Sequence, residues 1–148
     1  MYLRILVAVD GSTTSDRAVR EAIRLTQDQH AQVRGVHVEE DVPAMYFGYS
    51  DGVDLATLED SVRQAGQEAL DDAVATAGQA GVTMETALLP HNRQRVGDVI
   101  VAAAQEWSAD LIVMGTHGRH GLAHLLLGSV AEAVVHQSSV PVLLLRAL

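Results

Sequence analysis

The chain has 148 residues, 48% of them apolar, and its 19 acids against 10 bases give a net charge of −9. That size suits one domain with a substantial core, residues 1–148 as a single unit, and that composition excludes a disordered chain. The charge works against DNA, RNA or anionic lipid as the main partner, and the absence of Lys and Cys removes a Schiff-base amine, the P-loop ammonium, a thiol nucleophile, a thiolate metal site and any disulfide framework.

Residues 3–9 form a nearly continuous apolar run that stops at Asp10-Gly11-Ser12, the pattern of a strand buried on both faces and ended by a turn. Thr13 or Thr14 is expected to cap the next helix, whose inward stripe is Ala18, Val19, Ala22, Ile23 and Thr26. A second strand fits 33–38, with Gly35 marking a close approach. Residues 39–54 are punctuated by acids, Pro43, Gly48 and Gly52 around the aromatic cluster Tyr46, Phe47 and Tyr49, and read as a long loop that is a lid, a partner-contacting segment or partly disordered.

From Leu55 to about Ala80, Leu58, Val62, Ala65, Ala69, Ala73 and Ala77 recur at helical spacing, with Gly81 placed as a C-terminal cap. A third strand is expected over 82–89, ending at Pro90. In 95–107, Val96, Val99, Ile100, Ala103, Ala104 and Trp107 step by three and four along one helical face. A buried strand over 110–115 runs into glycine, a helix follows near 129–137, and the chain closes on an aliphatic strand after Pro141. Five strands alternating with four helices predict an α/β fold, a parallel sheet covered on both faces with right-handed crossovers.

No apolar run reaches the roughly 18 residues that a membrane-spanning helix needs. Because the apolar run at the start reads as a strand rather than a leader, a cytoplasmic location is the default expectation. Pro141 donates no ladder hydrogen bond and belongs near a strand start or on an edge. An aliphatic edge strand is an aggregation liability, and pairing the 140–145 segment with that of a second copy, as a homodimer, would cover it.

Ligands of an open parallel sheet collect at the carboxyl ends of the strands, where strand order reverses. There Gly115 and Gly118 permit a close turn, and Gly128-Ser129 opens the last helix, with Ser129 and Glu132 in the form of a capping box. The open N–H groups of Ser129 and Val130 make an anion site that needs no lysine. Spacing alone leaves two readings: a phosphate chain clasped between the 115–118 turn and the last helix, or ordinary turn geometry. Asp10 is likewise open between a ligand-facing acid and a helix cap. His117, His120 and His124 cluster in sequence, yet a glycine-rich loop is a poor frame for zinc, so they read as exposed or phosphate-adjacent and no metal ligand is assigned. His37 reads as a packed, hydrogen-bonded residue.

The opening 5–12, the 110–115 strand, the pattern Gly115-x2-Gly118-x9-Gly128-Ser129 and the ending 139–144 resemble the universal stress protein family of the UspA type, over almost the full chain. The glycine pattern resembles the ATP-binding branch. What the resemblance implies is a three-layer, Rossmann-like (adenine nucleotide alpha hydrolase-like) domain with a five-stranded parallel sheet of order 3-2-1-4-5, and a homodimer through the last strand. It implies ATP, with Mg²⁺ held mainly by phosphates and water. Ala8, Val9 and Asp10 would line the adenosine side, Val38 would contact adenine, and Met114 and Gly115 would lie under the nucleoside. Gly118, Gly128, Ser129 and Val130 would offer N–H groups to phosphates, with Arg119 beside them.

No residue stands out as a general base for an attacking water, so the expected role is nucleotide-dependent regulation or stress protection through a partner protein rather than rapid turnover. A weak ATPase or nucleotide-dependent enzyme, and a nucleotide-independent dimeric scaffold, are the alternatives.

Overall fold

The computed structural model describes residues 1–42, 54–118 and 127–147. In chain order the elements are β1 Arg4–Ala8, α1 Thr13–Gln29, β2 Gln32–Val38, α2 Leu55–Gln79, β3 Met84–Leu89, α3 Val96–Glu106, β4 Leu111–Gly115, α4 Ser129–Gln137 and β5 Val142–Leu145. All neighbouring strands pair in parallel, in the order β3-β2-β1-β4-β5. This is the order expected above, with β1 and β4 at the centre and helices on both faces.

The continuous apolar runs of β1 and β4 follow from that central position, because successive side chains of a strand point to opposite faces. Ile5, Val7 and Val9 join Leu111 and Val113 against Ala18, Val19, Ala22 and Ile23 of α1 and Leu70 and Ala73 of α2. On the other face Leu6, Ile112 and Met114 meet Val99, Ile100 and Ala104 of α3 and Ala131 and Val134 of α4. The predicted stripe of α1 is buried throughout, whereas the first half of the α2 stripe, Leu58, Val62 and Ala65, is only half-buried.

Helix ends depart from expectation in instructive ways. The cap of α1 is Ser12 rather than Thr13 or Thr14: its backbone is extended and its Oγ accepts the Ser15 N–H at 3.2 Å. Thr14 is thereby free for another task, described below. At the end of α2, Ala80 is the cap and Gly81 follows with φ 73°. The Val82 N–H reaches the Ala77 carbonyl (2.9 Å) and the Gly81 N–H the Gly78 carbonyl (3.0 Å), a Schellman closure that delays β3 to Met84. The expected capping box at α4 does not form, because Gly128 is the cap and has no side chain to offer, and Ser129 already lies in the helix.

Pro141 immediately precedes β5, the edge strand, and its carbonyl accepts the Ile112 N–H at 3.0 Å. Gly35 sits where a Cβ would come within 3.2 Å of Met84 Sδ. The aromatic cluster Tyr46, Phe47 and Tyr49 lies outside the described residues. Among the described residues no helix is long and apolar enough to cross a membrane.

Candidate functional site

Because the chain leaves β1 toward β2 and β3, then returns to build β4 and β5 on the other side, strand order reverses between β1 and β4. Loops leaving the two strands diverge there and open a crevice at their carboxyl ends. A cavity of about 570 Å³ fills it, within the usual range for a small-molecule site. Ala8, Val9, Asp10, Val38, Met114, Gly115, Gly118, Gly128, Ser129 and Val130 all line this one space. Arg119, His120 and His124 lie outside the described residues.

The β1–α1 loop is held by its own polar groups. The Asp10 N–H donates to Ser15 Oγ (3.0 Å), and Asp10 Oδ1 accepts the Ser12 N–H (2.8 Å). Gly11 adopts φ 78°, the left-handed conformation that this tight turn requires. One Asp10 oxygen is therefore engaged in the turn, while Oδ2 lies where a Cβ on Gly118 would approach it to 2.7 Å. The first and fourth βα loops thus meet across the crevice at Asp10 and Gly118.

The glycines serve a purpose that spacing alone does not reveal. A Cβ on Gly115 would stand 2.4 Å from Thr14 Oγ1 and 3.0 Å from the Thr14 carbonyl carbon, and one on Gly128 would stand 2.9 Å from the Thr116 carbonyl oxygen. Both bare Cα atoms face protein. They let the start of α1 and the start of α4 press against the end of β4, and the Thr14 hydroxyl donates to the His117 carbonyl across that contact.

A second consequence corrects the role expected of Gly128. Its N–H donates to the Thr116 carbonyl at 2.7 Å, so that amide is engaged within the protein. The first intrahelical bond of α4 runs from the Glu132 N–H to the Gly128 carbonyl (2.9 Å). Helix geometry therefore leaves the N–H groups of Ser129, Val130 and Ala131 without intrahelical acceptors, and among the described residues no side chain caps them. All three residues line the cavity. The positive end of the helix dipole points the same way.

The apolar part of the lining comes from Val36, Val38, Val96, Ile100 and Met114. His37 is 4% exposed, and its Nδ1 is 2.6 Å from the Val9 carbonyl, the packed role expected of it. Its ring fits only because α2 carries Gly66, where a Cβ would fall 2.4 Å from His37 Cδ2. At the mouth stand Glu40 and Asp41, the latter 3.3 Å from His91 Nε2. No Arg occurs among the described lining residues, and no described group of three or more His, Asp or Glu is arranged to hold a metal.

Sequence reasoning did not single out Ser12, Ser15, Thr116 or Ala131 as site residues, and it weighed His117 only with the other loop histidines. Ser12 and Ser15 were legible as hydroxyls beside Asp10; the inward placement of Thr116 and His117 depends on contacts with α1, about a hundred residues earlier in the chain.

An adenine nucleotide matches this donor set. The aliphatic wall suits a base, the carboxylate suits a ribose hydroxyl, and uncapped amides at a helix start suit phosphate.

Comparison with known proteins agrees with the architecture. The family model described as the universal stress protein family matches residues 1–146. A universal stress protein of Methanocaldococcus jannaschii is 34% identical over 149 aligned residues, covering 99% of this chain and 83% of the relative. Among solved structures, a Burkholderia pseudomallei protein of the universal stress protein family superposes with a TM-score of 0.74 at 35% identity, covering 99% of this chain and 97% of that one. A universal stress protein in complex with cAMP gives a TM-score of 0.71 at 28% identity, with 97% of both chains covered. One from Archaeoglobus fulgidus in complex with dAMP gives 0.68 at 26% identity, covering 97% of this chain and 98% of that one. With a family model spanning nearly the whole chain and relatives of similar length, the chain belongs to the universal stress protein family.

Proposed function

We propose that this chain is an ATP-binding regulatory protein that works as a homodimer, with nucleotide occupancy rather than turnover as its output. The observation that carries the reading is the mixed lining of the cavity, in which aliphatic side chains share one space with the start of α4, whose first N–H groups have no side-chain cap among the described residues. Relatives in complex with cAMP and dAMP support an adenine nucleotide as the ligand class.

In this reading adenine lies against Val38 and Met114, with Ala8 and Val9 beneath the nucleoside, and Asp10 Oδ2 accepts from a ribose hydroxyl. The N–H groups of Ser129 and Val130, the Ser129 hydroxyl and the Gly118 N–H take the phosphates. Gly115 and Gly128 act indirectly, by letting α1 and α4 close on β4. With no cluster of described acids built for a cation, Mg²⁺ would be carried by the phosphates and water. The turn that engages Asp10 Oδ1 favours a binding role for this carboxylate over that of a free base.

The half-buried aliphatic edge of β5 supports the dimer, since a second copy would cover it. For nucleotide to regulate, it must favour one loop or dimer conformation over another, and a partner must read the difference.

The test is to purify the protein without added nucleotide, denature it and identify released small molecules by mass and absorbance. Adenosine triphosphate in near-stoichiometric amount is the expected result. Added Mg-ATP should also raise the melting temperature, with about 2.7 kcal/mol of stabilisation at a hundredfold excess over Kd. Neither retention nor stabilisation would leave a nucleotide-free scaffold. Light scattering should give twice the chain mass of 15.8 kDa.

A further inference from the structure

One polar group in the cavity wall has no part in the reading above. His117 lines the cavity between β4 and α4, and its ring packs beside Gly128, where a Cβ would lie 3.8 Å from His117 Cδ2. Its backbone is fixed by the Thr14 hydroxyl, which donates to its carbonyl. Its Nδ1 is 3.1 Å from Thr116 Oγ1, and Thr116 is itself 4% exposed and tied to β5 through its N–H to the Leu145 carbonyl (2.9 Å). The other ring nitrogen, Nε2, is buried and has no hydrogen-bond partner among the described residues.

A buried ring nitrogen without a partner is unfavourable, and such groups in a folded protein call for a reason. The surroundings indicate what is missing. When the Thr116 hydroxyl donates to Nδ1, that nitrogen is the acceptor and Nε2 carries the ring N–H. A donor then sits beside the start of α4, where the amides of Ser129 and Val130 are donors as well. Donors gathered in this way favour an anionic acceptor, and within the nucleotide that acceptor is phosphate.

We propose that His117 hydrogen-bonds through Nε2 to a phosphoryl oxygen of the nucleotide, and so distinguishes a nucleotide from its nucleoside. This rests on the adenine-nucleotide reading and adds a residue to it. Because Nε2 is buried, forming the bond requires the ring or its cover to shift. Phosphate, rather than the adenosine portion, is therefore what moves the His117 ring.

The experiment compares adenosine and AMP by calorimetry on the wild type, His117→Phe, which keeps a ring but no donor, and His117→Gln, whose amide reaches the Nε2 position. AMP affinity should fall roughly 10-fold in the Phe variant, as expected for loss of one hydrogen bond to a charged group, and recover in part with Gln. Adenosine affinity should stay unchanged in both. Equal losses for both ligands would make His117 merely structural, and no loss for AMP would likewise overturn the proposal while leaving the nucleotide reading intact. Wild-type protein that binds neither ligand at millimolar concentration would end both. A parallel measurement needs no variant: the ¹⁵N resonance of His117 Nε2 should move with AMP and not with adenosine, and the absence of an AMP-specific shift counts against the proposal even if the Phe variant does not fold.

Discussion

At the amino end of the sheet, polar groups close on one another, while at the carboxyl end of the same strands several are left open. Asp110 accepts the N–H groups of Leu3 (2.8 Å) and Arg4 (3.0 Å), clamping β1 to β4. Trp107, 6% exposed, carries the guanidinium carbons of Arg4 and Arg34 at 4.6 and 4.8 Å from its ring centroid. Arg34 also pairs with Glu85 at 2.7 Å, and although Arg4 Nε has no hydrogen-bond partner, its charge rests on the indole face. Across the sheet, among the described residues, the start of α4 has no side-chain cap and His117 Nε2 has no partner. The contrast runs along each strand: one end is closed by its own polar groups, and the other leaves donors open, as the proposed nucleotide site requires.

Substitution at Trp107 should separate the two ends most sharply. Trp107→Ala removes a buried ring and both cation contacts, and urea unfolding should show a loss of about 3–5 kcal/mol. Nucleotide affinity, measured where the variant is still folded, should hold. A large fall in affinity with little loss of stability would erase the distinction between the ends.

Gly115→Ala probes the join between scaffold and site. The added methyl would overlap Thr14, including its backbone, so neither partner yields easily. The expected cost is about 1–3 kcal/mol in denaturant unfolding, accompanied by weaker nucleotide binding as the 116–118 segment moves. Unchanged stability would show that α1 does not press on β4 as described.

The smallest effect is expected away from both ends, where Gln137 of α4 donates to Asp98 of α3 at 2.6 Å. That bond, helped by Arg95 nearby, holds the exposed Asp98 carboxyl below its usual 3.8. The lowered folded value means that this contribution is present above the unfolded pKa and is lost as pH falls through the folded one. Gln137→Ala should therefore lower the melting temperature slightly at neutral pH and not at all in strong acid, without altering nucleotide binding. A larger effect at acid pH than at neutral pH would reverse the assignment.

How far the fold was legible in the sequence follows from this division. The apolar runs of β1 and β4 and the stripe of α1 identified central strands and the helix covering them, because burial on both faces leaves no polar alternation. Pro141 marked a strand start or an edge, because it has no N–H to give to a ladder. Helix caps were harder: Ser12, Thr13 and Thr14 are adjacent hydroxyls, and only the placement of Thr14 against His117 decides among them. The glycines at 115, 118 and 128 were visible as a pattern, but their neighbours come from Thr14, Asp10 and Thr116. Such pairings are set by packing between distant segments. For the same reason the loss of the Gly128 amide to Thr116, and the open nitrogen of His117, emerge only from the folded arrangement.

The central claim is that open amides at the start of α4, in place of a lysine, hold the phosphates of an adenine nucleotide. Titrating ¹⁵N-labelled protein with Mg-ATP and following the backbone amides tests it most directly. Large, saturable shifts at Ser129 and Val130, with the Trp107 and Asp110 amides unmoved, are the predicted result. Saturation of the protein with no movement at Ser129 and Val130, or no response to millimolar Mg-ATP anywhere, would contradict it.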